Sequence, residues 1–215
     1  MQQSARLRVR AGDPEVFREL FAEHARSVYN HAFRLTGTWS AAEEVVSLTY
    51  LEAWRLRGTV DADADGAADA GVGSLRPWLL GIATNVARNL RRAARRHQDA
   101  LARLPRPEPV PDLAEEVTAR IDDRERLDRV RVALAALRQP EREVLALCVW
   151  AGLDYAEAAA ALGVPVGTVR SRLSRARARL ARLVAAGKLR EPPAGGGQMK
   201  GGRGTAALLA QEKAR

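Results

Sequence analysis

Four prolines alternate with other residues in LPRPEPVPD (104–112), and no other segment restricts the fold of this chain as strongly. Proline fixes φ and donates no backbone hydrogen bond, so this run excludes helix and favours an extended, semi-rigid connector. Acidic residues lie in and after it: Glu108, Asp112, Glu115, Glu116, Asp122 and Asp123. The connector divides the 215 residues into two parts, and both have helical periodicity. The sequence therefore predicts an all-α protein with two small helical domains joined by a Pro-rich acidic linker.

The first part begins with a helical pattern over residues 14–57, interrupted at Gly37. One face of its first helix carries Phe17, Leu20, Phe21, His24, Val28, Ala32 and Leu35. Ser40 and Glu43 have the spacing of a capping box and predict the start of a second helix. Its apolar positions are Val45, Val46, Leu48, Thr49, Ala53 and Trp54. Residues 59–74 repeat Gly, Asp and Ala without an apolar face, which predicts a flexible loop.

A long helix is predicted from Leu75 onward, with Pro77 in its first turn. Its buried stripe consists of Leu79, Ile82, Val86 and Leu90. The opposite face carries a polar and cationic ridge made of Asn85, Arg88, Arg92 and Arg95. Such a ridge is either an ordinary solvated surface or a track for a polyanion, and the pattern alone leaves both open.

After the connector, heptad-like spacing returns at Leu127, Val130, Leu134 and Leu137. Pro140 opens a further helix, PEREVLALCVWAG, with Val144, Leu147 and Cys148 facing inward. Asp154 and Glu157 can cap the short helix YAEAAAAL, which ends at Gly163. A longer helix follows GVPVG, and this order of short helix, glycine turn and longer helix predicts a helix-turn-helix.

The longer helix, VGTVRSRLSRARARLARLV, has two distinct faces. A packing seam contains Val166, Val169, Leu173, Ala176, Leu180 and Leu183. The opposite strip is small, with Gly167, Ser171, Ser174 and Ala178, and arginines flank it. The helix contains no acidic residue, unlike an ordinary surface helix. Small residues between arginines allow close approach to base edges in a major groove, so this face is predicted to bind DNA.

The composition agrees with a nucleic-acid partner. Thirty-five Lys and Arg against 26 Asp and Glu give a net charge of +9, and the pI is about 10.8. Charge alone would fit an anionic membrane, or no particular partner, equally well. Cys148 is the only cysteine, which excludes an intrachain disulfide and a cysteine-held zinc and fits a reducing compartment. The N-terminus lacks the apolar core of a secretory signal, and no apolar run is long enough to span a membrane. We expect neither a metal nor a cofactor.

Three stretches resemble the extracytoplasmic-function (ECF) sigma factors of the bacterial sigma-70 family. They are AAEEVVSLTYLEAWR (41–55), LRPWLLGIATNVARNLRR (75–92), and the run from LRQPEREVLAL through DYAEAAAALGVPVGTVRSRLSRARARL (137–180). The resemblance implies a cytoplasmic protein that is not an enzyme and that directs core RNA polymerase to promoters. It implies a sigma-2 bundle of three to four helices at 14–98, a linker at 99–122 and a sigma-4 helix-turn-helix at 123–185. Residues 186–215 lie beyond the usual end of the family, and their glycine content predicts a mobile tail.

The resemblance also assigns roles to residues. Glu44, Ser47 and Leu51 correspond to the surface that docks on the clamp helices of the largest polymerase subunit, while sigma-4 would meet the flap of the second-largest subunit. Asn85, Arg88, Asn89 and Arg92 correspond to the residues that bind the minus-10 element as a single strand. The minus-35 element would be bound by Thr168, Arg170, Ser171, Arg172, Ser174 and Arg175. An anti-sigma factor is an expected further partner, and membrane insertion is not expected.

Two other classes of protein remain to be separated from this one. A stand-alone helix-turn-helix regulator would explain the second part, but it would leave residues 1–98 without a ligand pocket and would bind duplex DNA without polymerase. An enzyme with a metal site at Glu23, His24 and His31 is the third class. His24 falls on the apolar face and no second group of ligands supports such a site.

Overall fold

The computed structural model describes residues 4–61, 75–101 and 133–186, and within these ranges all regular structure is helical. The N-terminal domain contains α1 (Ala5–Ala11), α2 (Pro14–Thr36), α3 (Trp39–Leu56), a 3-10 turn (Arg57–Thr59) and α4 (Arg76–Leu101). The C-terminal domain contains α5 (Gln139–Leu145), which continues as a π-helical turn (Ala146–Trp150), α6 (Tyr155–Leu162) and α7 (Val166–Ala185). Most of the predicted loop at 59–74, the linker and the tail lie outside the described residues.

Helices α2 and α3 meet at the predicted break. Asp13 accepts a hydrogen bond from the Glu15 amide at 2.9 Å and starts α2. Gly37 ends the helix with φ of 81°, a left-handed conformation that favours glycine. The predicted capping box of Ser40 and Glu43 is wrong, because α3 already begins at Trp39 without a side-chain cap. The Trp39 ring instead stacks on Phe33 with centroids 4.2 Å apart.

The sequence analysis did not predict α1. Ser4 caps it, and Val9 on its inner face is fully buried. Arg6 and Arg10 donate hydrogen bonds to the carbonyl oxygens of Asp61 and Val60, at 3.2 and 3.4 Å. Val60 is itself buried, so the predicted loop begins with a packed residue rather than an exposed one.

The core of the N-terminal domain lies where α2, α3 and α4 pack on one another. Its fully buried side chains include Leu20, Val28, Val45, Leu79 and Leu80. Three apolar positions that the periodicity placed inside are exposed instead, namely Phe21, Leu48 and Trp54, at 52%, 36% and 41%. The periodicity therefore overestimates the buried set, and these exposed apolar side chains are candidates for contact with a partner.

The C-terminal domain follows its predicted plan closely. Asp154 and Glu157 form a reciprocal capping box, with both hydrogen bonds at 2.8 Å. Gly163 ends α6 with φ of 64°, and α7 begins three residues later. Leu134, Leu137, Val144 and Leu147 are buried as predicted, whereas Leu127 and Val130 lie outside the described residues. Cys148 is only half-buried, and burial raises the pKa of its thiol to about 11, so the thiol stays protonated at neutral pH.

Candidate DNA and polymerase interfaces

The second helix of the helix-turn-helix presents its predicted face to solvent. Val169, Leu173 and Ala176 are buried against the rest of the domain. Among the six residues predicted to contact the minus-35 element, Arg170, Ser171, Ser174 and Arg175 are exposed, while Thr168 and Arg172 are half-buried at the flanks. A Cβ added to Gly167 would meet nothing within 4 Å, so this end of the strip is open. The structure therefore exposes four of the six side chains on the outer part of α7 and leaves Thr168 and Arg172 at the edge of its packed face.

Two of these side chains are positioned by their neighbours. The Arg175 guanidinium donates hydrogen bonds to the carbonyl and hydroxyl oxygens of Ser171, at 3.1 and 3.2 Å. The Ser171 hydroxyl in turn donates to the Thr168 carbonyl at 3.1 Å. Arg170 lies over the ring of Tyr155, 5.7 Å from its centroid. Holding an arginine in one orientation reduces the entropy lost when it binds.

The polar ridge on α4 is present, but its four predicted minus-10 residues are not equivalent. Asn85, Asn89 and Arg92 are exposed. Arg88 is half-buried, and its guanidinium donates to both carboxylate oxygens of Glu143 on α5, at 2.7 and 2.6 Å. It also donates to the Asn85 side-chain oxygen at 3.0 Å. The hydrogen bonds to Glu143 raise the pKa of Arg88, which remains charged. Residue spacing along α4 does not indicate this partner, because Glu143 lies 55 residues away in the chain.

Glu44, Ser47 and Leu51 lie on one exposed face of α3. Leu51 is 63% exposed, the largest value among the exposed large apolar side chains of the described residues. The Ser47 hydroxyl donates to the Glu43 carbonyl at 3.2 Å, so it extends little beyond the helix backbone. The apolar face continues through Leu48 and Trp54, which the sequence analysis had placed in the core.

The alternative metal site finds no support. The residues that the structure describes contain no group of three or more His, Cys, Asp or Glu side chains able to hold a metal ion. His24 and His31 are both buried. Of the helices described, none has the length and apolar character needed to cross a membrane.

A helical domain with an exposed face of apolar and polar side chains, joined to a helix-turn-helix with a cationic outer strip, is the arrangement expected of a DNA-binding protein. The family model of Sigma-70 region 2 matches residues 20–97, and that of Sigma-70, region 4 matches residues 127–180. The chain belongs to the sigma-70 family and, within it, to the ECF sigma factors, as its resemblance predicted.

Similar proteins agree with this assignment. The chain is 33% identical over 165 residues to the ECF RNA polymerase sigma factor SigL of Mycobacterium tuberculosis, covering 76% of this chain and 85% of that protein. It is 30% identical to the RNA polymerase sigma factor NccH of Alcaligenes xylosoxydans xylosoxydans, covering 82% and 91%. Among solved structures, CnrH in complex with the cytosolic domain of CnrY superposes with a TM-score of 0.60 at 27% identity, covering 85% of this chain and 96% of that one.

Proposed function

We propose that this sigma factor joins core RNA polymerase through α3 and directs it to promoters by binding the minus-35 element with α7 and the minus-10 element with α4. The observation that carries the proposal is the outer face of α7, which is acid-free, exposed and lined by small side chains. A close approach to base edges needs such a face, and arginine is the commonest partner of guanine there.

At the minus-35 element, Arg170, Ser171, Ser174 and Arg175 contact base edges in the major groove. Thr168 and Arg172, at the flanks of the strip, contact phosphates and fix the orientation of the helix. Ser171 holds the Arg175 guanidinium through two of its five N–H donors, and the remaining donors are available to guanine acceptors when DNA is bound.

At the minus-10 element, the bases are read after the strands separate. Asn85 and Asn89 carry amides that both donate and accept hydrogen bonds, as recognition of an unpaired base edge requires. Arg88 and Arg92 neutralise the phosphates of the same strand. The helix thereby supplies a cationic track alongside two amide groups.

Docking on polymerase uses the exposed face of α3. Leu51 supplies an apolar anchor that loses its water on binding, and Glu44 and Ser47 surround it with polar groups. The partner proposed for α3 is the pair of clamp helices of the largest polymerase subunit. The C-terminal domain binds the flap of the second-largest subunit.

The chain acts in the cytoplasm, performs no catalysis of its own and is controlled by an anti-sigma factor. Two solved relatives support the control by an anti-sigma factor. CnrH is bound to the cytosolic domain of CnrY. The sigma factor RpoE of Bartonella quintana, 25% identical with a TM-score of 0.56, is bound to the anti-sigma factor NepR.

Promoter selection by a reconstituted holoenzyme tests the proposal. Core polymerase with and without the purified chain is offered a library of genomic fragments, and the transcription starts are sequenced. We expect starts only with the chain present, downstream of one shared pair of elements. Tight binding to a specific duplex by the chain alone, with no binding to core polymerase, would instead identify a stand-alone regulator.

A further inference from the structure

Arg170 and Arg175, both exposed on α7, are held in place by different chemistry. Arg175 donates two hydrogen bonds to Ser171, one to the carbonyl oxygen and one to the hydroxyl. Arg170 lies instead over the aromatic ring of Tyr155, with its Cζ 5.7 Å from the ring centroid. Within the part of the chain that the structure describes, the Arg170 side chain forms no hydrogen bond and no ion pair. Among those residues, the Tyr155 ring is therefore what orients it.

The Tyr155 ring belongs to a different helix, and the start of that helix is fixed. Tyr155 is the first residue of α6, directly after Asp154. The side chains of Asp154 and Glu157 each accept a hydrogen bond from the other's backbone amide at 2.8 Å, which closes the first turn. The ring itself is half-buried and packs against the hydrophobic core. A ring fixed by its helix and by the core presents a stable face to Arg170.

The type of contact decides which atoms of each arginine stay available. The attraction of a cation to an aromatic ring acts through the face of the ring and uses no N–H donor. Arg170 therefore keeps all five guanidinium donors for another partner, whereas two of the five donors of Arg175 are engaged with Ser171. Arginine binds guanine through two donors at the edge of its planar group. Restricting the orientation of Arg170 without using its donors favours that contact.

We propose that Tyr155 is a positioning residue for promoter recognition: its ring orients the Arg170 guanidinium toward one base pair of the minus-35 element. The first helix of the helix-turn-helix thus determines specificity at a base pair that only the second helix contacts. The inference rests on the proposed function, because that function assigns Arg170 to a base edge.

Loss of the ring should affect discrimination between sequences more than total affinity. Without the ring, Arg170 samples more rotamers in the free protein, and a base contact must then restrict all of them. A mobile arginine also reaches the nearest phosphate, and every DNA sequence offers phosphates in the same places. Release of Arg170 therefore replaces a sequence-specific contact by one that carries no sequence information.

Two substitutions separate the ring of Tyr155 from its hydroxyl. Tyr155→Phe keeps the aromatic face and removes the oxygen, so it should leave Arg170 in place. Tyr155→Leu keeps an apolar side chain for the core and removes the ring. Arg170→Ala identifies the base pair that Arg170 contacts. Ser171→Ala is the matched control, because it releases Arg175 instead.

The experiment measures base preference with the reconstituted holoenzyme. Promoter fragments that share one minus-10 element and are randomised across the minus-35 element are bound, recovered and sequenced for the parent and each variant. We expect Arg170→Ala to lose the preference at one base pair. Tyr155→Leu should reduce the preference at that same base pair about three- to tenfold, and Tyr155→Phe should retain it. Ser171→Ala should reduce the preference at a different base pair.

Two further measurements separate positioning from a role in stability alone. In the free chain, the ring current should shift the side-chain protons of Arg170 upfield in the parent and in Tyr155→Phe, and this NMR shift should disappear in Tyr155→Leu. In a double-mutant cycle, Tyr155→Leu should cause no further loss of base preference in the Arg170→Ala background, because the two residues act as a unit.

A preference at the Arg170 base pair that survives Tyr155→Leu would overturn the positioning role. Equal losses for Tyr155→Phe and Tyr155→Leu would also overturn it, since they would show that the hydroxyl, rather than the ring, contacts DNA. Equal weakening at every base pair by Tyr155→Leu would overturn it as well, because a loss of stability has that effect. Absence of any minus-35 preference in the parent holoenzyme would instead count against the proposed function, whereas the proton shift in the free chain involves neither DNA nor polymerase.

Discussion

His31 on α2 and Thr84 on α4 share a hydrogen bond of 2.8 Å in the buried core of the N-terminal domain. The Thr84 hydroxyl uses its own proton to donate to the Leu80 carbonyl at 2.8 Å, so it accepts from His31 Nε2. The imidazole therefore carries a proton on Nε2, and burial keeps the ring neutral by lowering its pKa. Its Nδ1 is buried and has no hydrogen-bond partner among the described residues.

This arrangement predicts acid sensitivity. Burial, and then the charges of Arg34 and Arg76, lowers the pKa of His31 from 6.5 to about 3. The unfolded chain binds a proton below pH 6.5 while the folded chain does not, so stability is lost as pH falls from about 6.5 towards 3. Between pH 7.5 and 5.5, His31 should reduce the free energy of unfolding by about 1.4 kcal/mol. Urea denaturation at the two pH values measures the difference.

His31→Gln provides the control, because glutamine keeps a donor for Thr84 but does not titrate. The variant should be less stable at neutral pH and show a pH dependence smaller by about 1.4 kcal/mol over the same interval. The same pH dependence in the variant and the parent would show that other groups cause it.

The glycine turn of the helix-turn-helix also contributes to the free energy of unfolding. Gly163 has φ of 64°, where an L side chain is strained, so Gly163→Ala should lower the free energy of unfolding by about 1–2 kcal/mol. Gly167→Ala is the matched control, because Gly167 lies in α7 with open space around it and alanine favours helix. Denaturation should therefore show opposite signs for the two variants, and equal effects would contradict the turn's role.

The sequence predicted those features that depend on local chemistry. Gly37, Asp154, Glu157 and Gly163 act within a few residues of themselves, and the structure confirms each one. The seam of α7 follows from helical periodicity alone, and its central residues are buried as predicted. In the N-terminal domain, by contrast, α3 begins at Trp39 without a side-chain cap, and the Trp39 ring contacts Phe33 on α2, a contact that local signals such as Ser40 and Glu43 do not indicate.

Features that depend on distant contacts were missed. The apolar positions predicted for α3 extend beyond one face of the helix: Val45 and Ala53 are on the buried face, whereas Leu48 and Trp54 lie off it and are exposed. The pairing of Arg88 with Glu143 joins two domains across a connector, and spacing along one helix carries no information about it. These two errors concern the surfaces available to partners, where function imposes what folding does not require.

The exposed face of α3 provides a prediction about polymerase. Leu51→Glu should weaken binding to core polymerase at least about tenfold, because the side chain loses an apolar anchor and gains a charge that must be desolvated. The free energy of unfolding should change by less than about 0.5 kcal/mol, since Leu51 is exposed in the free protein. Fluorescence anisotropy of the labelled chain with core polymerase measures the affinity.

Leu20→Ala is the contrasting variant, because Leu20 is fully buried on α2 and its truncation should cost about 2–5 kcal/mol of stability. Undiminished polymerase binding by Leu51→Glu would exclude this face of α3 as the docking surface.

The outer strip of α7 makes the sharpest prediction about promoter specificity. Arg175→Ala should weaken binding of the holoenzyme to its cognate minus-35 element by about 1–3 kcal/mol, because a bidentate contact to guanine is lost. Binding to a duplex with a scrambled minus-35 element should change little.

Ser171→Ala removes a hydroxyl acceptor that positions Arg175 and should produce a smaller loss of the same kind. Arg182→Ala changes an exposed arginine nearer the end of α7 and is the control for general loss of charge, so it should weaken binding to both duplexes equally. Equal losses on cognate and scrambled duplexes for Arg175→Ala would exclude a base contact and leave Arg175 as a phosphate contact.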